Sequence, residues 1–268
     1  MKKVFSIILA ILLLGSISLA GFAEENSGIT VEKVIDWMIE GDDASVNTSE
    51  QAANGALRLA EMTVVLCSLS IETQGEADHL NNILSKVAEV DLPDESLEHK
   101  LAMGLMKTFE GLGIFEQQLD WEGNYEDYFH QIFNSFSAND EKTETALQQA
   151  VNALYHCVVL SSLIAKEHCT TQNMVDQIDR EMTDFDAADR AAADSNEQLI
   201  NGAEFFFRML TGIASMRDSG GFFADDIQDV ANDTYAAVEE DSDQMFQLAN
   251  WLYGCVSMTG IRAQELGA

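Results

Sequence analysis

The residues with the clearest potential for chemistry are carboxylates near the end of the chain. No basic residue lies between Arg217 and Arg262, whereas aspartate recurs throughout that interval. Four of these aspartates fall in one predicted helix: Asp225, Asp226, Asp229 and Asp233. Clustered carboxylates attract divalent cations, polyamines and cationic peptides. One hypothesis is therefore a cation-binding or cationic-ligand-binding module that uses these C-terminal acids.

Other residues of catalytic or metal-binding type lack the spacing that such chemistry needs. The dipeptides His156-Cys157 and His168-Cys169 lie on one predicted helix, without the spacing of zinc ligands. Neither a phosphate-binding loop nor a nucleophile elbow occurs. The sequence thus predicts no metal and no cofactor. An enzyme that works through carboxylates is a further alternative, for which nothing selects a particular pair among the 46 acids.

The whole chain is acidic, with 46 aspartates and glutamates against 14 lysines and arginines and a formal charge of −32. Such a surface repels phosphate backbones, which argues against nucleic acid as a partner. A protein or peptide partner that carries charge is expected to be cationic. Adaptation to salt, or solubility alone, is the competing explanation of the acidity.

The first 23 residues have the layout of a secretory signal peptide. Two lysines precede an apolar run from Val4 to about Leu19. A cleavage site of small residues ends at Ala23, and an equally acceptable one ends at Ala20. The alternative is an uncleaved membrane anchor, because the run approaches the ~20 residues that a membrane span requires. We expect cleavage, export to the periplasm or the extracellular space, and a single mature domain of residues 24–268 without a membrane span.

A gapless repeat of 49 residues organises the rest of the chain. One column of this repeat, meaning positions separated by the repeat length, holds Asn54, Asn152, Asn201 and Asn250. Repeats of this period are typical of stacked supersecondary units. The predicted units span about 29–77, 78–126, 127–175, 176–224 and 225–268. Each unit has the apolar periodicity of a short amphipathic helix, followed by a polar connection and a longer helix.

The predicted fold is all-α, an α-solenoid-like array of five helical hairpins with the longer helices inside. It is similar in style to tetratricopeptide-like repeats, although the 34-residue period and the signature of that family are absent. One column of small residues, Gly55, Gly104, Ala153 and Gly202, predicts close approach of neighbouring units. The last unit has Trp251 at this column, and we expect the indole to seal the exposed end of the array.

The asparagine column permits two interpretations. The amides could form a ladder that binds an extended peptide, or each amide could satisfy backbone groups of an adjoining helix. Buried amides usually form hydrogen bonds with nearby backbone groups, which favours the structural interpretation.

Helical-repeat arrays bind proteins or peptides on a concave surface. The sequence therefore predicts an exported, non-enzymatic protein-binding or scaffold module.

Overall fold

The computed structural model describes residues 29–71, 73–117, 125–218 and 220–267, so the predicted signal peptide lies outside the described range. All regular structure within that range is α-helical. The helices are α1 (Val31–Ala44), α2 (Thr48–Ser68), α3 (Gln74–Val90), α4 (Leu97–Gln117), α5 (Tyr125–Asp140), α6 (Ala146–Glu167), α7 (Gln172–Ala191), α8 (Ser195–Arg217), α9 (Ala224–Glu240) and α10 (Gln244–Leu266). They pair into five hairpins, which confirms the all-α prediction.

The longer helix of each hairpin begins at a fixed interval. These helices start at residues 48, 97, 146, 195 and 244, which is a constant spacing of 49. Side-chain caps set several of the starts: Asn47 accepts from the Glu50 N–H, Thr145 from Gln148, Asp194 from Glu197 and Asp243 from Phe246. Such caps satisfy first-turn N–H groups that have no partner within the helix. The 49-residue repeat of the sequence is therefore also the interval between the starts of the longer helices.

The five longer helices form a closed inner ring. Each packs against the next, and α10 packs against α2. A Cβ added at Gly104 would lie 2.5 Å from the carbonyl carbon of Ala56, and one added at Gly111 would lie 2.7 Å from the Thr63 side chain. The residues of each pair are 48 positions apart in the sequence, and the two contacts lie at different points along the same two helices. α2 and α4 therefore run parallel to each other.

The closure of the ring uses the same close approach as the other contacts between inner helices. A Cβ added at Gly55 would lie 3.0 Å from the Leu252 side chain. Tyr253 then adds hydrogen bonds across the closure. Its hydroxyl accepts from Asn54 Nδ2 at 3.2 Å and donates to Asp42 Oδ1 at 3.1 Å. The first and fifth hairpins are therefore neighbours.

The predicted exposed end is wrong, because the fifth hairpin has a successor in the first. Trp251 does not seal an end. Its ring packs instead against those of Phe207, at a centroid distance of 5.5 Å, and Tyr235, at 5.1 Å. The indole therefore fills the contact between the fourth and fifth hairpins. Closure follows from the curvature of the stack, which the repeat pattern alone does not specify.

We expect Tyr253→Phe to lower the free energy of unfolding by about 2 kcal/mol, because the change removes two hydrogen bonds, one to the buried Asn54 and one to the partly buried Asp42. Urea denaturation followed by circular dichroism measures the effect. Tyr155→Phe is the matched control, since its hydroxyl also reaches the next hairpin, donating to Asp186 Oδ1 at 3.0 Å. Tyr155 is partly exposed, so water can replace the lost group. Equal losses in the two variants would contradict a special role for the closure.

The shorter helices form an outer layer that covers the seams of the ring. α3 packs against both α2 and α4, α7 against both α6 and α8, and α9 against both α8 and α10.

Inside the ring, side chains from all five inner helices surround a cavity of only about 30 Å³. One described helix, α6, is long and apolar enough to cross a membrane, and 67% of the qualifying stretch is buried within the protein.

Candidate functional site

The repeat provides an internal comparison that locates a candidate site. One column carries a β-branched apolar residue in four units, Val34, Ile83, Ile132 and Val230, whereas the fourth unit has Glu181. A second column carries a large apolar residue in four units, Val65, Ile114, Leu163 and Ile261, whereas the fourth unit has Gly212. Both departures thus fall in the same hairpin, formed by α7 and α8.

The two departures line one groove on the outside of the ring, with a volume of about 390 Å³. We name it the methionine groove, and its lining residues are Ala165, Met174, Gln177, Ile178, Glu181, Arg208, Met209, Thr211, Gly212, Ser215, Met216 and Tyr235. No atom lies within 4 Å of a Cβ added at Gly212. The groove is therefore open where the other units place an aliphatic side chain.

Three methionines, Met174, Met209 and Met216, form much of the apolar wall. Methionine is unbranched and polarisable, so its side chain adjusts to apolar groups of different shape. Ile178 and the ring of Tyr235 extend the same wall. The wall can therefore accept an apolar side chain without requiring one particular shape.

Arg208 occupies the polar end of the groove. Its guanidinium lies 2.5 Å from the Glu181 carboxylate and 3.7 Å from that of Glu204. It also lies over the Phe205 ring, 4.7 Å from the centroid, which is a cation–π geometry. Glu181 belongs to α7 and Arg208 to α8, so the ion pair joins the outer helix to the inner one. Two carboxylates share one guanidinium, which leaves the group with a net negative charge.

The pKa values of Glu204 and Tyr235 respond to burial and to the charges around Arg208. Burial raises the pKa of Glu204, the Arg208 charge opposes the rise, and the Glu181 charge adds to it. Burial also raises the pKa of Tyr235, where Arg208 again acts to lower the pKa and both glutamates act to raise it. In both groups burial is the largest cause of the raised pKa, and the charges of Arg208 and of the carboxylates act in opposite directions.

The asparagine column does not line the methionine groove. Three of its amides donate to a carbonyl in the outer helix of their own hairpin: Asn54 to Met38 (2.9 Å), Asn152 to Phe136 (3.1 Å) and Asn201 to Ala188 (3.3 Å). Asn250 donates to Phe246 of its own helix at 2.8 Å. In the first, third and fourth hairpins these amides therefore tie the outer helix to the inner one.

The C-terminal aspartates lie along one helix, α9. Asp225 and Asp229 are exposed, and Asp226 and Asp233 are partly buried. Burial, followed by the charges of Asp229 and Asp225, raises the pKa of Asp226. Within the described ranges, no three His, Cys, Asp or Glu side chains are grouped so that they could hold a metal ion. None of the four aspartates is among the residues that line the methionine groove.

A second polar group, in the first two hairpins, was not predicted from the sequence. Arg58 donates through Nη1 to both oxygens of Glu61, through Nη2 to Asp91, and through Nε to Asn54. Arg58 and Glu61 are only 7% and 8% exposed. Burial raises the pKa of Glu61 to about 7, against the lowering effect of Arg58. We refer to Arg58, Glu61 and Asp91 as the Arg58 cluster.

Comparisons with protein-family models, with curated proteins and with solved structures give no match to this chain. The groove and the repeat are thus the features from which a function has to be inferred. Both polar groups line an open groove, of about 480 Å³ at the Arg58 cluster, and both have two carboxylates to one guanidinium. The methionine groove differs in its mostly apolar lining.

Proposed function

We propose that the protein is an exported, non-enzymatic binding protein that takes a peptide segment of a partner protein into the methionine groove. The supporting observation is Gly212, which alone in its column leaves the seam open. A groove of a few hundred Å³, with apolar walls and a few polar groups at one end, is typical of ligand sites. Export is proposed from the N-terminal sequence. Mass spectrometry of the mature protein tests this proposal, and an N-terminus at Glu24 would support it.

The groove chemistry favours binding over catalysis. The ionisable groups at its polar end are engaged with one another, and neither histidine nor cysteine is among its lining residues. The Thr211 hydroxyl donates to the Phe207 carbonyl at 2.8 Å, so its proton is used within the helix. Methionine-rich surfaces repack around different side chains, which suits peptide recognition. The lining residues lie on helices that pack against one another in the ring and in its outer layer.

We expect Gly212→Leu to weaken peptide binding about a hundredfold, because the new side chain fills the space in which an apolar anchor of the peptide would be buried. Peptides selected from a displayed random library on the mature protein serve as probes, and their affinities are measured by calorimetry. The four other units carry aliphatic residues at this column, so the variant should keep its fold.

The control is Gly75→Leu, which adds the same side chain at an exposed position in the first turn of α3. This variant should bind the selected peptides like the unmodified protein. Gly212→Leu binding as tightly as the control would overturn the proposal, as would a library that yields no binder. Thermal unfolding of each variant shows whether a lost interaction reflects the groove or the fold.

A further inference from the structure

The polar end of the methionine groove is short of positive charge. The side chains of Glu181, Glu204 and Arg208 are 24%, 34% and 34% exposed. A ligand seated in the groove would remove much of this remaining contact with water. Burying two carboxylates beside a single guanidinium raises the cost of keeping both ionised. A ligand that brings a cation reduces that cost, whereas a neutral or anionic ligand does not.

The arrangement of Arg208 also disfavours an anionic ligand. Its guanidinium is engaged by two carboxylates, and the Phe205 ring covers one face. An anion would have to displace one of these internal partners. A cation would meet carboxylate oxygens without displacing any group. The ring of Tyr235, which is 41% exposed, offers an additional aromatic surface for a cation.

We propose that the groove recognises a lysine or arginine side chain next to an apolar residue in the partner peptide. The cation lies at Glu181, which lines the groove, and the apolar neighbour lies among the three methionines. Glu204 is not a lining residue, but its carboxylate lies 3.7 Å from the Arg208 guanidinium and adds negative charge at this end. The aliphatic stem of lysine or arginine packs on the apolar wall while its charge reaches the carboxylates. The overall charge of −32 favours the approach of such a peptide. This inference rests on the proposed function and adds the chemistry of the ligand.

The test uses three fluorescein-labelled amidated peptides that share one scaffold: Gly-Leu-Lys-Leu-Gly and its versions with Gln or Glu in place of Lys. Fluorescence anisotropy with the mature protein at low salt measures their affinities. We expect the Lys peptide to bind about tenfold more tightly than the Gln peptide, because it gains a charge-assisted hydrogen bond. The Glu peptide should bind most weakly.

Glu204→Gln should reduce the preference for Lys over Gln to about twofold and leave the affinity of the Gln peptide unchanged. Glu181→Gln is the second variant, which keeps the test informative if one substitution disturbs the fold. Asp229→Asn is the matched control, since it removes an equal charge from an exposed position outside the groove. The control should keep the full preference.

The outcomes separate this inference from the function on which it rests. An unchanged preference in both glutamine variants would overturn the cationic ligand while leaving peptide binding in place. Octylamine that competes as strongly as the Lys peptide would overturn the choice of a peptide over a small amine. Equal binding of all three peptides to Gly212→Leu and to the unmodified protein would overturn the proposed function itself.

Discussion

Replacing Gly104 with alanine is expected to lower the free energy of unfolding by about 3 kcal/mol. The added Cβ would lie 2.5 Å from the carbonyl carbon of Ala56 and 2.6 Å from its oxygen. Backbone atoms cannot rotate out of the way as a side chain can, so α2 and α4 would have to move apart. Alanine at an ordinary helical position stabilises by about 1 kcal/mol relative to glycine. The packing of the ring is thus expected to reverse the usual sign.

Gly212→Ala is the matched control, because it makes the same change inside another inner helix. No atom lies within 4 Å of its added Cβ, so only the helical preference of alanine acts. We expect this variant to gain up to about 1 kcal/mol. Urea denaturation followed by circular dichroism measures both variants. A gain in stability for Gly104→Ala would contradict the close approach of α2 and α4.

Replacing Arg58 with methionine should cost about 3 to 5 kcal/mol near pH 8, where the change leaves a buried carboxylate without its partner. Methionine keeps much of the length of the arginine stem, so the loss reports mainly on charge and hydrogen bonding. Glu61 is the partner most affected, since both of its oxygens accept from Arg58 and it is 8% exposed. Urea denaturation at several pH values measures the cost.

The cost of Arg58→Met should shrink as the pH falls towards 5. The pKa of Glu61 is raised from 4.5 to about 7 in the folded protein, so the folded state holds a proton that the unfolded state has already released. Stability from this group is full below about pH 4.5 and is lost as the pH rises to about 7, by about 3 kcal/mol in all. Without Arg58 the pKa rises further, and the protonated side chain needs no ion partner.

Glu61→Gln is the control, because it cannot lose a proton. The difference in stability between this variant and the unmodified protein should change between about pH 4.5 and 7 and stay flat above that window. Taking differences cancels the titration of the other acids, which all proteins in the series share. A cost of Arg58→Met that is the same at pH 5 and pH 8 would contradict the assigned role of Glu61.

The sequence predicted the helices well because their physical causes are local. The column of small residues that includes Gly104 indicated close approach, and the structure has that approach at Ala56. Caps such as Asn47, which accepts from the Glu50 N–H, are formed by residues close in sequence. Closure of the ring was not predicted, because it depends on the small rotation between units, which arises from side-chain packing along the whole seam. The role assigned to Trp251 failed for the same reason.

The groove contains two residues that differ in type from those at the same repeat position in the other units. Glu181 replaces valine or isoleucine, and Gly212 replaces a larger aliphatic residue, so both departures are visible in the sequence. Their significance depends on the structure, which brings the two positions to one seam. The C-terminal aspartates attracted attention through their number, but α9 spreads them along its length. The Arg58 cluster joins residues from α2 and the end of α3, a proximity that spacing alone does not indicate.

Closure also restricts how such a protein can change. An open stack gains or loses a unit with little effect on the others, because each unit contacts only its neighbours. Here the surface of α2 is complete only when α10 returns to it, with Tyr253 bonded to Asp42. Deleting or duplicating one hairpin would leave both surfaces uncovered. Copy number is therefore fixed by geometry, whereas single side chains along a seam can differ between units, as Glu181 and Gly212 do in the fourth hairpin.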